Sequence, residues 1–390
     1  MGSIQHQPLC FPSPSCGWGK RCVTVAGWVL LRAGLVLVSL PVCCQAAGPA
    51  NWTIVHRGLE PLPATARTTS PSTSVGVTGL SGITWLGGAR YAAVLDNSDR
   101  ILLLTVELGE DGTPTEIRDT KVVTVSAAHD YEDIAAAGPE SDGTRRLFLC
   151  EEDTPAVRIA RFPGGQLEGL LPLPEVFRSR RPNRGLEGLA LDPDGRYLWT
   201  ANEEPLEEDG PEVAEGRGGV VRLVRLDTAA VAVEGTSRVK VDVTNKAPGP
   251  LQVAYAVDPP HGFIRIVDAP LYSGLVALVA LGEGRLLLLE RSAGGGLPPF
   301  SSRIYLVDTT SASDISGVER DLTAVDPVAK QLLWEGALGT NLEGLCLGPE
   351  LAGGGRALLG VVDNGGLGTP NQLAAFVLRS TDEQTPVTSP

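Results

Sequence analysis

Cysteine is scarce where a folded chain would use it. Of the seven in 390 residues, Cys10, Cys16, Cys22, Cys43 and Cys44 all precede residue 45, leaving only Cys150 and Cys346. Two thiols in separate apolar stretches exclude a disulfide framework, and both are expected to be buried and unpaired, as small hydrophobes. Histidine is limited to four residues, one of them His6, so a histidine-based zinc site is excluded and hard, oxygen-bound cations fit the ligand supply better. There is no Gly-x-Ser-x-Gly elbow, no His-Glu-x-x-His, no Walker loop and no dinucleotide fingerprint. No stretch has convincing helical periodicity. The longest apolar run near the N-terminus, residues 33–42, is short of the roughly 20 residues that span a bilayer.

That run has another reading. Lys20, Arg21 and Arg32 precede it and Ala46-Ala47 follow, the order of a cleaved secretory signal over residues 1–47. The expected location is therefore secreted or periplasmic, with no membrane span in the mature chain. Its removal takes three basic residues and no acid, moving the net charge from −14 to about −17. So acidic a surface disfavours nucleic acid and anionic lipid and favours cations or neutral partners.

What the chain does have is repetition. Ser81-Gly82-Ile83 to Asp96-Asn97, Glu132-Asp133-Ile134 to Glu151-Glu152, Leu186-Glu187-Gly188 to Glu203-Glu204, Ser273-Gly274-Leu275 to Glu290-Arg291, and Leu342-Glu343-Gly344 to Asp363-Asn364 each read as strand, turn and strand ending on an acid. Units of this kind cannot bury a face alone, and stacking them radially predicts an all-β propeller. The closing acids are 55, 52, 87 and 73 residues apart. The first two steps are about one blade each and the third has room for an extra degenerate blade or a long excursion around residues 229–260, where Val239, Val241 and Val243 alternate. Six blades are expected, with five or seven allowed. Residues 48–75 form a leading segment that can add a strand to the last blade, 76–378 the propeller and 379–390 a polar tail. Residues 285–289 are nearly all apolar, as expected of a strand covered on both faces.

Three stretches are specific enough to name a family. Pro182-Asn183-Arg184-Gly185-Leu186-Glu187-Gly188-Leu189-Ala190 with Asp192-Pro193-Asp194-Gly195 and Asn202-Glu203-Glu204, Asn341-Leu342-Glu343-Gly344 with Asp363-Asn364, and Arg303-Ile304-Tyr305-Leu306-Val307-Asp308 make residues 80–378 resemble the esterase-like phytase family of exported propellers. The resemblance implies an activity carried by acids, here Glu132, Glu151, Glu187, Glu203, Glu290, Glu343 and Asp363. Two features depart from its pattern: Ser273-Gly274 carries no acid, and flexible Gly365-Gly366-Leu367-Gly368 follows Asp363-Asn364.

Equivalent repeat positions converge on a propeller axis, so Asp96, Glu132, Glu151, Glu187, Glu203, Glu290, Glu343 and Asp363 are candidate metal ligands there. Carboxylates so gathered repel unless cations or protons lie between them, and calcium, with six to eight flexible oxygen ligands, suits donors from separate blades. Arg184 and Arg291 could hold a non-bridging oxygen of a phosphoester, and His129 or His261 could protonate the leaving oxygen, with Glu187 and Glu343 acting on the metal or its water. The structural alternative is that a Glu beside Gly pins a repeated turn, that Arg184 is an ion-paired surface group, and that the chain is a non-catalytic propeller binding a ligand or envelope partner. A lactonase-like calcium-dependent hydrolase is a third reading. A small-molecule substrate and a monomer are expected.

Overall fold

The computed structural model describes residues 52–69, 73–232, 250–338, 341–364 and 370–380. The signal at 1–47, the alternating valines Val239 to Val243, the glycines after Asp363-Asn364 and the tail from 381 lie outside the described residues. The described chain is 62% strand and 3% helix. No helix in it is long and apolar enough to cross a membrane.

Five antiparallel sheets make five blades, within the range that the repeat spacing allowed. Their innermost strands, Leu80–Gly87, Tyr131–Ala136, Leu186–Leu191, Leu271–Gly282 and Asn341–Glu350, pack in that order and close back on the first. The long third step holds no extra blade among the described residues. It is taken up by the outer strands Gly219–Asp227 and Leu251–Val257 of blade 3 and by excursions on either side of them. Strand Trp52–Pro61 pairs antiparallel with Gln372–Ser380, so the leading segment supplies the fourth strand of blade 5 and closes the ring.

The core is five interfaces. In strand Arg285–Gly294, Leu286 and Leu288 pack towards blade 3 while Leu287 and Leu289 pack towards blade 5, because successive side chains leave opposite faces. This is why the stretch is apolar at every position. Cys150 lies between blades 2 and 3 and Cys346 between blades 5 and 1, both buried and free. Burial pushes both thiols up, as expected of packing residues and not of nucleophiles.

Candidate functional site

A shared irregularity builds the mouth of the ring. In blade 2 Tyr131 pairs with Glu151 and Asp133 with Cys150, leaving Glu132 as an extra, bulged residue. Leu186 and Gly188 of blade 3 flank a bulged Glu187, and Leu342 and Gly344 of blade 5 flank Glu343. A bulge re-aims the side chain it carries. Blade 1 skips Ser81-Gly82, and in blade 4 the bulged residue is Val276, so the fourth unit matches the others three positions beyond Ser273. Three of five bulges thus carry Glu, from blades 2, 3 and 5.

The second strand of each blade adds one side chain beside its bulge. The residues one place beyond the last paired rung are Asp96, Glu152 and Glu203, and Arg291 and Asp363 occupy the same level in blades 4 and 5. The preceding residue points the other way. Glu151 is therefore buried against Arg158 Nε (2.6 Å) and His129 Nδ1 (3.0 Å). Glu290 takes Tyr255 Oη (2.5 Å), Lys330 Nζ (2.6 Å) and the backbone N–H of Asp258 (2.9 Å). Of the eight candidate ligands, the structure brings Asp96, Glu132, Glu187, Glu203, Glu343 and Asp363 to the mouth and ties Glu151 and Glu290 to Arg158 and Lys330 of their own blades, with hydrogen bonds across to His129 of blade 1 and Tyr255 of blade 3.

The mouth is divided by charge. On one side Arg291 binds Glu203 (2.6 Å), Glu343 (2.9 Å) and Asn341 Oδ1 (3.0 Å). Asn341 Nδ2 also donates to Glu343. Arg184 reaches Glu203 (3.2 Å) and Glu204 (2.9 Å) and lies over the Tyr272 ring at 5.2 Å. Burial works against both guanidinium charges, yet the surrounding carboxylates leave both more basic than usual. On the other side Asp96, Asp130 and Glu132 place ligand oxygens within 4.8 Å of one another. Burial, then a hydrogen bond and repulsion from Asp96, pushes Asp130 up to about 7. Burial first, then neighbouring carboxylates, raises Glu132 and Glu187 well above the usual range. Glu343 is pushed up to about 8 by burial, with Arg291 acting against the shift. Proton retention on this scale is what a surplus of close carboxylates does in the absence of a counter-cation. The acidic side could therefore hold a metal ion.

Below the acids Asp133, 1 % exposed, spans three blades. Its carboxylate accepts from the N–H of Ile134 and of Leu189, both at 2.7 Å, and the N–H of Ile83 also bonds to it. Burial holds this carboxyl well above the usual range, and the three N–H groups act against that shift. A Cβ on Gly82 would stand 2.2 Å from Asp133 Oδ1, so the close approach requires glycine there. Beyond this level, at the far end of the inner strands, is a cavity of about 350 Å³ bordered by both apolar and polar groups, among them Trp85, Leu189, Leu278, Asp192, Asp194 and Arg356.

His129 stands beside Asp130, held by Glu151. His261 lies on blade 4 with Nδ1 2.9 Å from Ser292 Oγ, and burial followed by Arg303 pushes it down to about 4. Sequence reasoning missed Asp130, Glu152 and Glu204. The usable signal was strand parity: Asp130 and Glu132 are two apart, as are Glu187 and Gly185, whose N–H donates to Glu152 (2.7 Å).

The sequence profile of the phytase-like family, described by the esterase-like activity of phytase, matches residues 75–366, and the chain belongs to that family. No curated protein matches it. Among solved structures it is similar to the PQQ-bound aldose sugar dehydrogenase of Streptomyces coelicolor (14% identity over 85% of this chain and 100% of that one, TM-score 0.37). A thermostable family-43 glycoside hydrolase (10%, 83% and 97%, 0.38) and the Dos1 propeller (8%, 76% and 68%, 0.32) are also similar. Likeness at this level says nothing of substrate or mechanism.

Proposed function

We propose that this phytase-like propeller is an exported hydrolase of a phosphoester or related ester, working at its acidic mouth with a divalent cation. The observation that carries the reading is the pairing, on one rim, of the close carboxyl groups of Asp96, Asp130 and Glu132 with the two guanidiniums of Arg184 and Arg291. The donor set is oxygen only. Its oxygens lie within 4.8 Å of one another, which is compatible with calcium, whose metal–oxygen distances of about 2.4 Å let opposite ligands stand nearly 5 Å apart. When bound, such an ion would supply charge neutralisation and a more acidic water.

The chain's own residues supply the rest. Arg291 and Arg184 are fixed by Glu203, Glu204 and Glu343, so their remaining N–H groups meet an anionic substrate oxygen without reorganising. Glu343, pushed up to about 8, can give a proton to a leaving oxygen; Glu187, on the bulge of blade 3, can act on water once it has lost its own proton. His129 is oriented by Glu151 for the same proton transfer. Export rests on the order of charge, apolar run and small residues over 1–47.

The test is metal analysis of the purified protein, then a phosphoester and lactone panel with and without chelator, then Glu187→Gln and Glu343→Gln. Each substitution should lower turnover about a hundredfold with the fold intact, the order expected for one electrostatic contributor. A second reading, a propeller that captures a ligand without turning it over, is favoured by the engagement of both terminal nitrogens of Arg291 with Glu203, Glu343 and Asn341. Wild-type protein that turns over nothing on the panel with calcium present, yet binds phosphate, selects it.

A further inference from the structure

Blade 4 does not stop at the mouth. In blades 1, 2, 3 and 5 the inner hairpin ladder ends at the rungs Leu80–Leu95, Tyr131–Glu151, Leu186–Asn202 and Asn341–Asp363. In blade 4 it continues past Gly274–Arg291 through Ser273–Ser292, Tyr272–Ala293 and Leu271–Gly294. A two-stranded sheet, Ile264–Arg265 with Gly296–Leu297, caps the extension, so a wall rises beside the site.

That wall is apolar and open. Ile264 and Leu297 are cross-strand partners, 76 % and 56 % exposed, and Ile266 and Val267 beside them are 58 % and 54 % exposed. These are most of the large exposed hydrophobic residues among those described, gathered on one flap, and such a cluster marks a surface that binds something. Its position says what. Tyr272 and Gly274 share a strand face; a Cβ at Gly274 would meet Glu203 Cγ at 2.4 Å, and the Tyr272 ring lies under Arg184. Arg265 bonds Glu215 (2.7 Å) in the loop after Glu204, which ties the flap to the rim that carries the arginines. The apolar wall is thus continuous with the cationic half of the mouth and away from the acid cluster of Asp96, Asp130 and Glu132.

We propose that this wall binds the apolar alkyl or aryl part of an amphiphilic ester whose anionic group is held by Arg291 and Arg184. The inference deepens the hydrolase reading by naming the substrate class and rests on its choice of mouth. The flap residues contact the substrate's tail and none of the reacting atoms.

Calorimetry on the purified protein with calcium, using ethyl phosphate and octyl phosphate below its micelle concentration, tests this without turnover. Octyl phosphate should bind about fiftyfold tighter, the effect of burying three of its six extra methylenes at about 0.8 kcal/mol each. Ile264→Ser combined with Leu297→Ser should cut that preference below fivefold and leave ethyl phosphate unchanged; both sites are exposed, so folding is retained. No binding of octyl phosphate, equal affinity for both esters, or a preference that survives the double substitution overturns the proposal. Light scattering that finds wild-type dimers and variant monomers also overturns it, assigning the flap to a second copy of the chain. A tail preference in a protein that hydrolyses nothing on the panel would sink the hydrolase reading and leave this one standing.

Discussion

Replacing Asp133 with alanine removes the acceptor for three backbone N–H groups drawn from three blades, at a site with no room for bulk water. A buried donor left unpaired costs about 1–3 kcal/mol, and these three are neighbours whose costs do not simply add, so the expected loss is roughly 3–5 kcal/mol. Asp133→Asn keeps one oxygen and turns an NH2 towards a second N–H, for about half that loss. At roughly 2–4 °C per kcal/mol for a domain this large, the alanine protein should melt about 10 °C below wild type and the asparagine protein about 5 °C below. Thermal and urea unfolding with calcium absent isolate this from any metal effect. An alanine protein melting within 2 °C of wild type would refute the idea that this carboxyl holds three inner strands together.

The raised carboxyls predict a pH dependence. Asp130 and Glu343 stand at about 7 and about 8 in the fold, against 3.8 and 4.5 for the unperturbed groups, so the folded state binds more protons than the unfolded one. In chelated protein the contribution of these two groups is full below about pH 4 and is lost as pH rises from there to about 7 for Asp130 and about 8 for Glu343, by at most about 1.4 kcal/mol per unit for each group and less where solvent screens them. A melting temperature that holds or rises from pH 5 to 8 contradicts this. Calcium at a hundredfold excess over its dissociation constant should return about 2.7 kcal/mol at pH 8, and no response means that these acids do not hold it. Mass spectrometry of the native protein should find a terminus near residues 47–51; an intact Met1 would remove the case for export.

The propeller was legible because each blade repeats one pattern of apolar strand, turn and acid, and Arg285 to Leu289 announces a strand covered twice. The acids were legible as a group and blurred one by one. Glu151-Glu152 and Glu203-Glu204 are adjacent pairs in which one member takes the mouth position and the other is held by other partners, Arg158 and His129 for Glu151 and Arg184 and the Val213 N–H for Glu204, and composition does not say which. The register does, and it depends on bulges such as the one at Val276 that shift one blade relative to the others. Arg291, read as a residue that holds a substrate oxygen, reaches the mouth, while Glu290, read as a metal ligand, is spent on Lys330 and Tyr255. The third step left an extra blade and a long excursion open, and among the described residues it holds the excursion: spacing counts residues and cannot tell a sheet from loops that serve the one before it.

The closure of blade 5 sets an order of events. His56 pairs with Phe376, about 320 positions later, so the last sheet cannot be completed until nearly the whole chain is available. Contacts this distant are slow to form, and until they do strand Gln372–Ser380 and strand Trp52–Pro61 each present an unpaired edge. A chain released, cut or stalled short of residue 380 would keep four complete blades and an open seam, and that seam, not the acidic mouth, is where misassembly between copies would begin.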